Sequence, residues 1–248
     1  MIEVIAAADL QWHVDAVPQI AEGEPAAASA VWAEMQTANE PLHDGPICRC
    51  LKVALPQQLG EPGVVSVARG QYRSMAVQRD ARVGDRGIRM LGCKALIIGR
   101  DSRGAEHVAI GQRGTGVLMY PRQWELAPAG SIDARWLNGT LADALVATVR
   151  DEGLEELGID LTSACDVTGP VCLYHDQAAL CWDVIVRLDW RGPIVPTKSP
   201  GGCRVDEHAW EYADVVWLAQ ADAKAWHDRS PGALSPPTVA VLRWLGWL

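Results

Sequence analysis

The spacing of apolar residues changes period several times along the chain. Ala26 to Asn39, entered through Glu24 and Pro25, is Ala-rich and predicts a helix, because Ala has the best helix propensity and proline is tolerated in a first turn. Asn39 to Pro46 breaks it. Ile47, Arg49, Leu51, Val53 and Leu55 then alternate with less apolar residues, Pro56 to Gly63 is turn-rich, and Val64 to Ala68 is extended again, so a hairpin is expected. A short helix over about Gln71 to Gln78 and a polar stretch, Arg79 to Gly87, follow.

From Leu91 the pattern becomes that of strands. Cys93 to Gly99 and His107 to Arg113 flank a turn at Gly99 to Gly104, and Val171 to Tyr174, Leu180 to Leu188 and Val215 to Leu218 read as later strands. Ser235 to Leu248 reads as a Pro-started helix with one charge, Arg243, which packs on the sheet or on a second copy of the chain; a homodimer is therefore an expectation. The fold class is α/β or α+β, with an extension over 1–90 and a main domain over 91–248.

Gly139 to Ile159 is the segment with the clearest ends. Thr140 and Asp143 approximate a capping box, and Gly158 followed by Ile159 is a C-terminal stop with its hydrophobic contact. Leu141, Leu145, Thr148 and Val149 make one apolar face. Glu152, Glu155 and Glu156, at i, i+3 and i+4, share one side of the last turns. Three carboxylates at the negative end of a helix dipole repel one another and the dipole, and a hard divalent cation with oxygen ligands relieves both. A solvated acidic face is the alternative reading of those three residues alone.

Composition narrows the chemistry. Of 248 residues, 22 are Lys or Arg and 31 Asp or Glu, a net charge of −9 with no basic cluster, which disfavours nucleic acid as a partner. Glu3 stands where a signal peptide would be basic, and no apolar run has the length of a membrane span, so a cytoplasmic protein without a membrane partner is expected. The seven cysteines (48, 50, 93, 165, 172, 181, 203) form no CxxC and are expected to be reduced, mostly buried thiols.

The spacing Glu152-x-x-Glu155-Glu156-x-Gly158-Ile159 resembles the Nudix box of the Nudix hydrolase superfamily. The resemblance extends over about Leu91 to Leu248: Ala109 to Arg113 and Tyr120 to Leu126 are similar to the strand and approach loop before the box, and Glu211 to Leu218 to the late acidic residue before a Trp-ending strand. It departs at four positions. Asp151 occupies the Arg slot, Asp143 replaces an earlier Glu, and Leu137 stands in place of the first Gly, which Gly130 would supply through a longer loop. The Arg normally ties down the loop before the helix, a function that passes to Arg150 or is lost. Gly153 sits in the aliphatic slot and costs about 1 kcal/mol relative to Ala unless close packing requires it.

The resemblance implies an α/β/α sandwich with a mixed sheet and metal-dependent hydrolysis of the pyrophosphate of a nucleoside diphosphate linked to another group. Glu152, Glu155 and Glu156 would bind Mg2+ or Mn2+; Glu155, Glu156 and Glu211 would be catalytic, with Glu207 and Asp214 as rivals to Glu211 for handling the attacking water. Arg113 and Trp124 would contact the substrate. Asn39 to Arg49, with Tyr72 and Arg73, is similar to the region preceding the Nudix domain in UDP-sugar pyrophosphatases, which makes a UDP-sugar, giving UMP and a sugar 1-phosphate, the first substrate expected. ADP-ribose, a dinucleotide or an oxidised nucleotide are alternatives, as is a non-catalytic nucleotide-binding regulator.

Overall fold

A computed structural model describes residues 3–6, 10–15, 25–38, 42–54, 63–194 and 211–248. Among them the strands join into one mixed sheet whose path runs β1 (Glu3–Ala6), β9 (Cys165–Asp176), β10 (Cys181–Trp190), β5 (Arg89–Arg100), β3 (Pro46–Ala54), β4 (Gly63–Gln71) and β2 (Leu10–Val14). β6 (Glu106–Arg113) pairs with β5, β7 (Trp124–Leu126) and β11 (Tyr212–Ala219), while β8 (Ala129–Ser131) pairs with β5. β10 with β5 and β2 with β4 are parallel; the other ladders are antiparallel.

β5 is buried on both faces, which is why its sequence reads as a nearly continuous apolar run rather than an alternation. Ala95 and Ile97 face a core shared with Leu141, Leu145, Val149 and Leu157 of helix α3 (Leu141–Leu157). Leu96 and Ile98, pointing the other way, pack with Val241 and Leu242 of α6 (Pro236–Trp244) and Ala223 of α5 (Gln220–Arg229). Helices therefore cover both faces of the sheet, an α+β arrangement in three layers.

The expected hairpins over 47–68 and 93–113 are present as β3–β4 and β5–β6. The short helix after β4 is α2 (Tyr72–Ala76), continued by a 3₁₀ turn at Val77–Arg79, and the Ala-rich helix is α1 (Ala28–Ala38). α5 is not legible as a periodic pattern: only Ala223 of its residues is buried, and it carries a Lys224–Asp228 pair at i, i+4. Strand β5 runs through the expected boundary at residue 90, and β3 pairs with its first residues, Arg49 opposite Met90 and Cys50 opposite Arg89. α1 has its own small core with Leu42, Ala76 and Val77.

The six described cysteines are free and buried, and burial pushes the thiols of Cys48, Cys50, Cys165 and Cys172 up to about 12. No helix of the described residues is long and apolar enough to cross a membrane. Cys203, Glu207, His208, Asn39 to Pro41 and Pro56 to Pro62 lie outside the described residues.

α3 forms as its ends dictate. The Thr140 hydroxyl accepts from the Asp143 N–H, the Asp143 carboxylate accepts from the Thr140 N–H, and Gly158 terminates the helix. Gly153 is where the helix meets the following segment: a Cβ there would lie 2.8 Å from both the Ile159 carbonyl oxygen and Leu161 Cγ. Close packing therefore requires glycine. Gly153→Ala, although a gain of about 1 kcal/mol in helix propensity, is expected to lower stability by roughly 1–3 kcal/mol through overpacking; a denaturant midpoint at or above wild type would contradict that.

Candidate active site

The last two turns of α3, β8, the loop 117–120, the Tyr72–Arg79 segment and the turn between β9 and β10 enclose a cleft of about 570 Å³. Glu152, Glu155 and Glu211 line it, and Glu156 lies behind them, 4% exposed. Three of the four acids press on one another. Burial, then the charges of Glu211, Glu155 and Asp151, push Glu152 up to about 8. Burial, then Glu211 and Glu152, raise Glu156 well above the usual carboxylate range. Glu155 differs: it is exposed at the mouth.

Local structure explains how the acids are held. The Ala129 N–H donates to Glu156 Oε2 at 3.0 Å, fixing the carboxylate against β8. A Cβ on Gly130 would lie 1.8 Å from Glu152 Oε1, so this glycine lets the Glu152 carboxylate rest on the backbone of β8. Asp151 on the helix accepts from Arg135 Nη2 at 2.6 Å, and Arg135 sits on the 3₁₀ turn Ala134–Asn138 that leads into α3. The loop is tied by a loop arginine to a helix carboxylate. Arg150, the expected substitute, contacts only Asp151 beside it on the same helix.

Glu156 Oε1 is buried and receives no donor, while the neighbour that reaches Glu156 is another carboxylate, Glu211. Buried oxygens facing each other with no N–H between them suit a shared proton or a hard cation. Among the described residues no three such side chains are drawn together at metal-ligand spacing; carboxylates repel, so closing the set requires positive charge. The donor chemistry, all carboxylate oxygen, fits Mg2+ or Mn2+ with water completing the coordination.

Beneath the acids lies a buried ionic group absent from the sequence reading. Glu125, 1% exposed, is paired with both Lys94 and Arg113 and accepts from Tyr212 Oη at 3.1 Å. Burial alone would raise its carboxyl, but Lys94 and Arg113 outweigh burial and hold it at about 2. Asp183, also buried, accepts from Tyr174 Oη at 2.6 Å and lines the same cleft. Lys94, Glu125 and Asp183 are each lone charges inside apolar strand sequences, and that oddity was the available signal.

Arg113 does line the cleft, yet Glu125 and the Met119 carbonyl occupy its guanidinium. Trp124 is displaced from its expected role. Successive strand residues face opposite ways, so β7 sends Glu125 toward the cleft and Trp124 to the other face, where its ring meets Trp226 edge-on at 5.5 Å. Asp214 is exposed and does not line the cleft.

No family model matches the chain, and no curated protein matches it. Several solved structures resemble it in fold. A Nudix hydrolase from Alicyclobacillus acidocaldarius is 14% identical over 62% of this chain and 90% of its own, with a TM-score of 0.46. A Nudix hydrolase from M. smegmatis is 18% identical over 64% and 84%, with a TM-score of 0.43. The Nudix domain of a Shewanella oneidensis protein, solved with ADP-ribose, is 17% identical over 67% and 91%, with a TM-score of 0.42.

The raised Glu152 carboxyl sets a pH dependence. Between an ordinary 4.5 and about 8 the folded chain keeps a proton that the unfolded chain has released, so its contribution lowers stability as pH rises through that window and levels off above it. Without metal, Glu152→Gln is expected to flatten this decline and raise the Tm at about pH 8, by roughly 1–3 kcal/mol of stability. Added Mg2+ or Mn2+ should raise the wild-type Tm at that pH and leave the variant unmoved. Parallel pH–Tm curves for the two proteins would contradict the assignment.

Proposed function

We propose that this chain is a Nudix-type pyrophosphohydrolase that cleaves a nucleoside diphosphate linked to another group. The observation that carries the proposal is the meeting of Glu211 with Glu156 and Glu152 at the cleft, where a buried carboxylate oxygen lacks a donor. Sequence spacing accounts for the helix acids; convergence of a fourth acid from a distant strand is what catalysis on a diphosphate needs.

Glu152, Glu155 and Glu156 would hold a divalent cation, which supplies neutralisation of the diphosphate and acidification of the attacking water. Glu211, immediately before β11, accepts the water's proton. As the new P–O bond forms, the anhydride P–O bond breaks and the second phosphate leaves with the bridging oxygen. The Gly130 backbone and the Arg135–Asp151 pair keep the helix acids aligned with β8, and most of the rate comes from such positioning.

The finer substrate reading is a UDP-sugar. It is supported by the location of residues 42–47, from the segment similar to UDP-sugar pyrophosphatases, along the cleft wall.

A substrate panel with and without Mg2+ tests the reading. Glu155→Gln and Glu156→Gln are expected to abolish metal-dependent turnover, and Glu211→Gln to lower kcat by roughly 10²- to 10⁴-fold with metal affinity little changed. Normal turnover by the first two variants would overturn the metal assignment, and nucleotide binding without turnover by wild type would make the chain a regulator. UDP-hexose should be cleaved to UMP and hexose 1-phosphate faster than ADP-ribose is cleaved to AMP; equal or reversed rates would remove the UDP-sugar reading alone.

A further inference from the structure

A diphosphate needs positive charge beyond that of a cation, and the Arg and Lys side chains lining the cleft are Arg79, Lys94, Arg113 and Arg135. Three are already matched to carboxylates. Lys94 and Arg113 share the buried Glu125, and Arg135 is held by Asp151 at 2.6 Å and Asp133 at 3.5 Å. Each would have to give up an ion pair before receiving a phosphate.

Arg79 is arranged differently. It ends the 3₁₀ turn after α2, where Nη2 donates to the Ala179 carbonyl at 2.6 Å and approaches Met75 Sδ at 3.6 Å. A carbonyl and a thioether orient a guanidinium without neutralising it. Its Nε is buried with no acceptor. Among the described residues no ion pair engages it, so the guanidinium carries a charge that no carboxylate neutralises at the cleft wall.

The same segment supplies Tyr72, which also lines the cleft. Burial raises its hydroxyl, Arg79 and Arg113 pull it down, and Glu211 pushes it up. Arg79, Arg113 and Glu211 border the same cleft as the helix acids Glu152 and Glu155.

We infer that Arg79 is the residue that binds a phosphate oxyanion of the substrate, and that Glu125 keeps Arg113 from that role. The inference rests on the diphosphate reading of this cleft. It places phosphate recognition on the chain segment that precedes the Nudix-like region, where a guanidinium with no carboxylate partner can make a charge-assisted bond to an oxyanion.

Calorimetric titration of the full-length protein with inorganic pyrophosphate and with ADP, in the presence of Mg2+, tests it without turnover. Arg79→Gln is expected to weaken both by about 10- to 100-fold, the loss typical of a charge-assisted bond. Arg79→Lys should be intermediate, and Arg229→Gln, on the exposed side of α5, should bind as wild type does. With a hydrolysed substrate, KM should rise in Arg79→Gln while kcat stays within a few-fold, a split that a purely structural role would not produce. Wild-type affinity in Arg79→Gln, or no binding of either probe to the wild type at about millimolar concentration, overturns the inference. The hydrolase reading is judged separately, by turnover of Glu155→Gln and Glu156→Gln. Should Arg79→Gln fail to fold, Arg79→Lys decides: binding weakened several-fold at unchanged Tm supports the inference, and wild-type binding overturns it.

Discussion

Glu152, Glu156 and Glu211 are neighbours at the cleft, Glu156 buried and the other two half-buried, and charges of one sign so placed repel. The fold supplies the force that keeps them there. One side of α3 buries Leu141, Leu145, Val149 and Leu157 against the sheet, and the same helix cannot rotate without exposing that face. Glu211 is brought in by β11, which is anchored through β6 to the sheet. Packing thus stabilises an electrostatic arrangement that is unfavourable without protons or a cation, a combination found where a site is built for a ligand.

Positive charge in the cleft is arranged in two ways. Lys94 and Arg113 face Glu125 at the floor, where burial makes an unpaired charge costly and a satisfied network rigid. Arg135 and Asp151 tie the entry loop to α3 near the surface, where an ion pair contributes little stability but sets the position of the loop.

Much of α3 was legible in the sequence because its determinants are local. The Thr140–Asp143 box, the Gly158 stop, the i, i+3, i+4 acids and the apolar face all lie within one segment, and each acts through neighbours a turn away. The two hairpins were legible for the same reason. The need for Gly153 was visible as a helix-breaking residue in a strong helix, but its reason, the approach of Ile159 and Leu161, lies in the turn after the helix.

Other features depend on residues far apart in the chain. Side-chain direction on β7 exchanged Trp124 for Glu125 at the cleft, since a strand shows one of two adjacent residues to each face. α5 carries almost no apolar period, and β5 runs through residue 90 with β3 paired to its first residues. The sequence by itself determined the helix ends, the acidic spacing and the hairpins, which are set by contacts a few residues apart. Only the tertiary structure decided that Glu125 neutralises Arg113, that Arg135 answers Asp151 and that Arg79 faces the cleft unpaired by a carboxylate, because burial and charge pairing belong to positions in space.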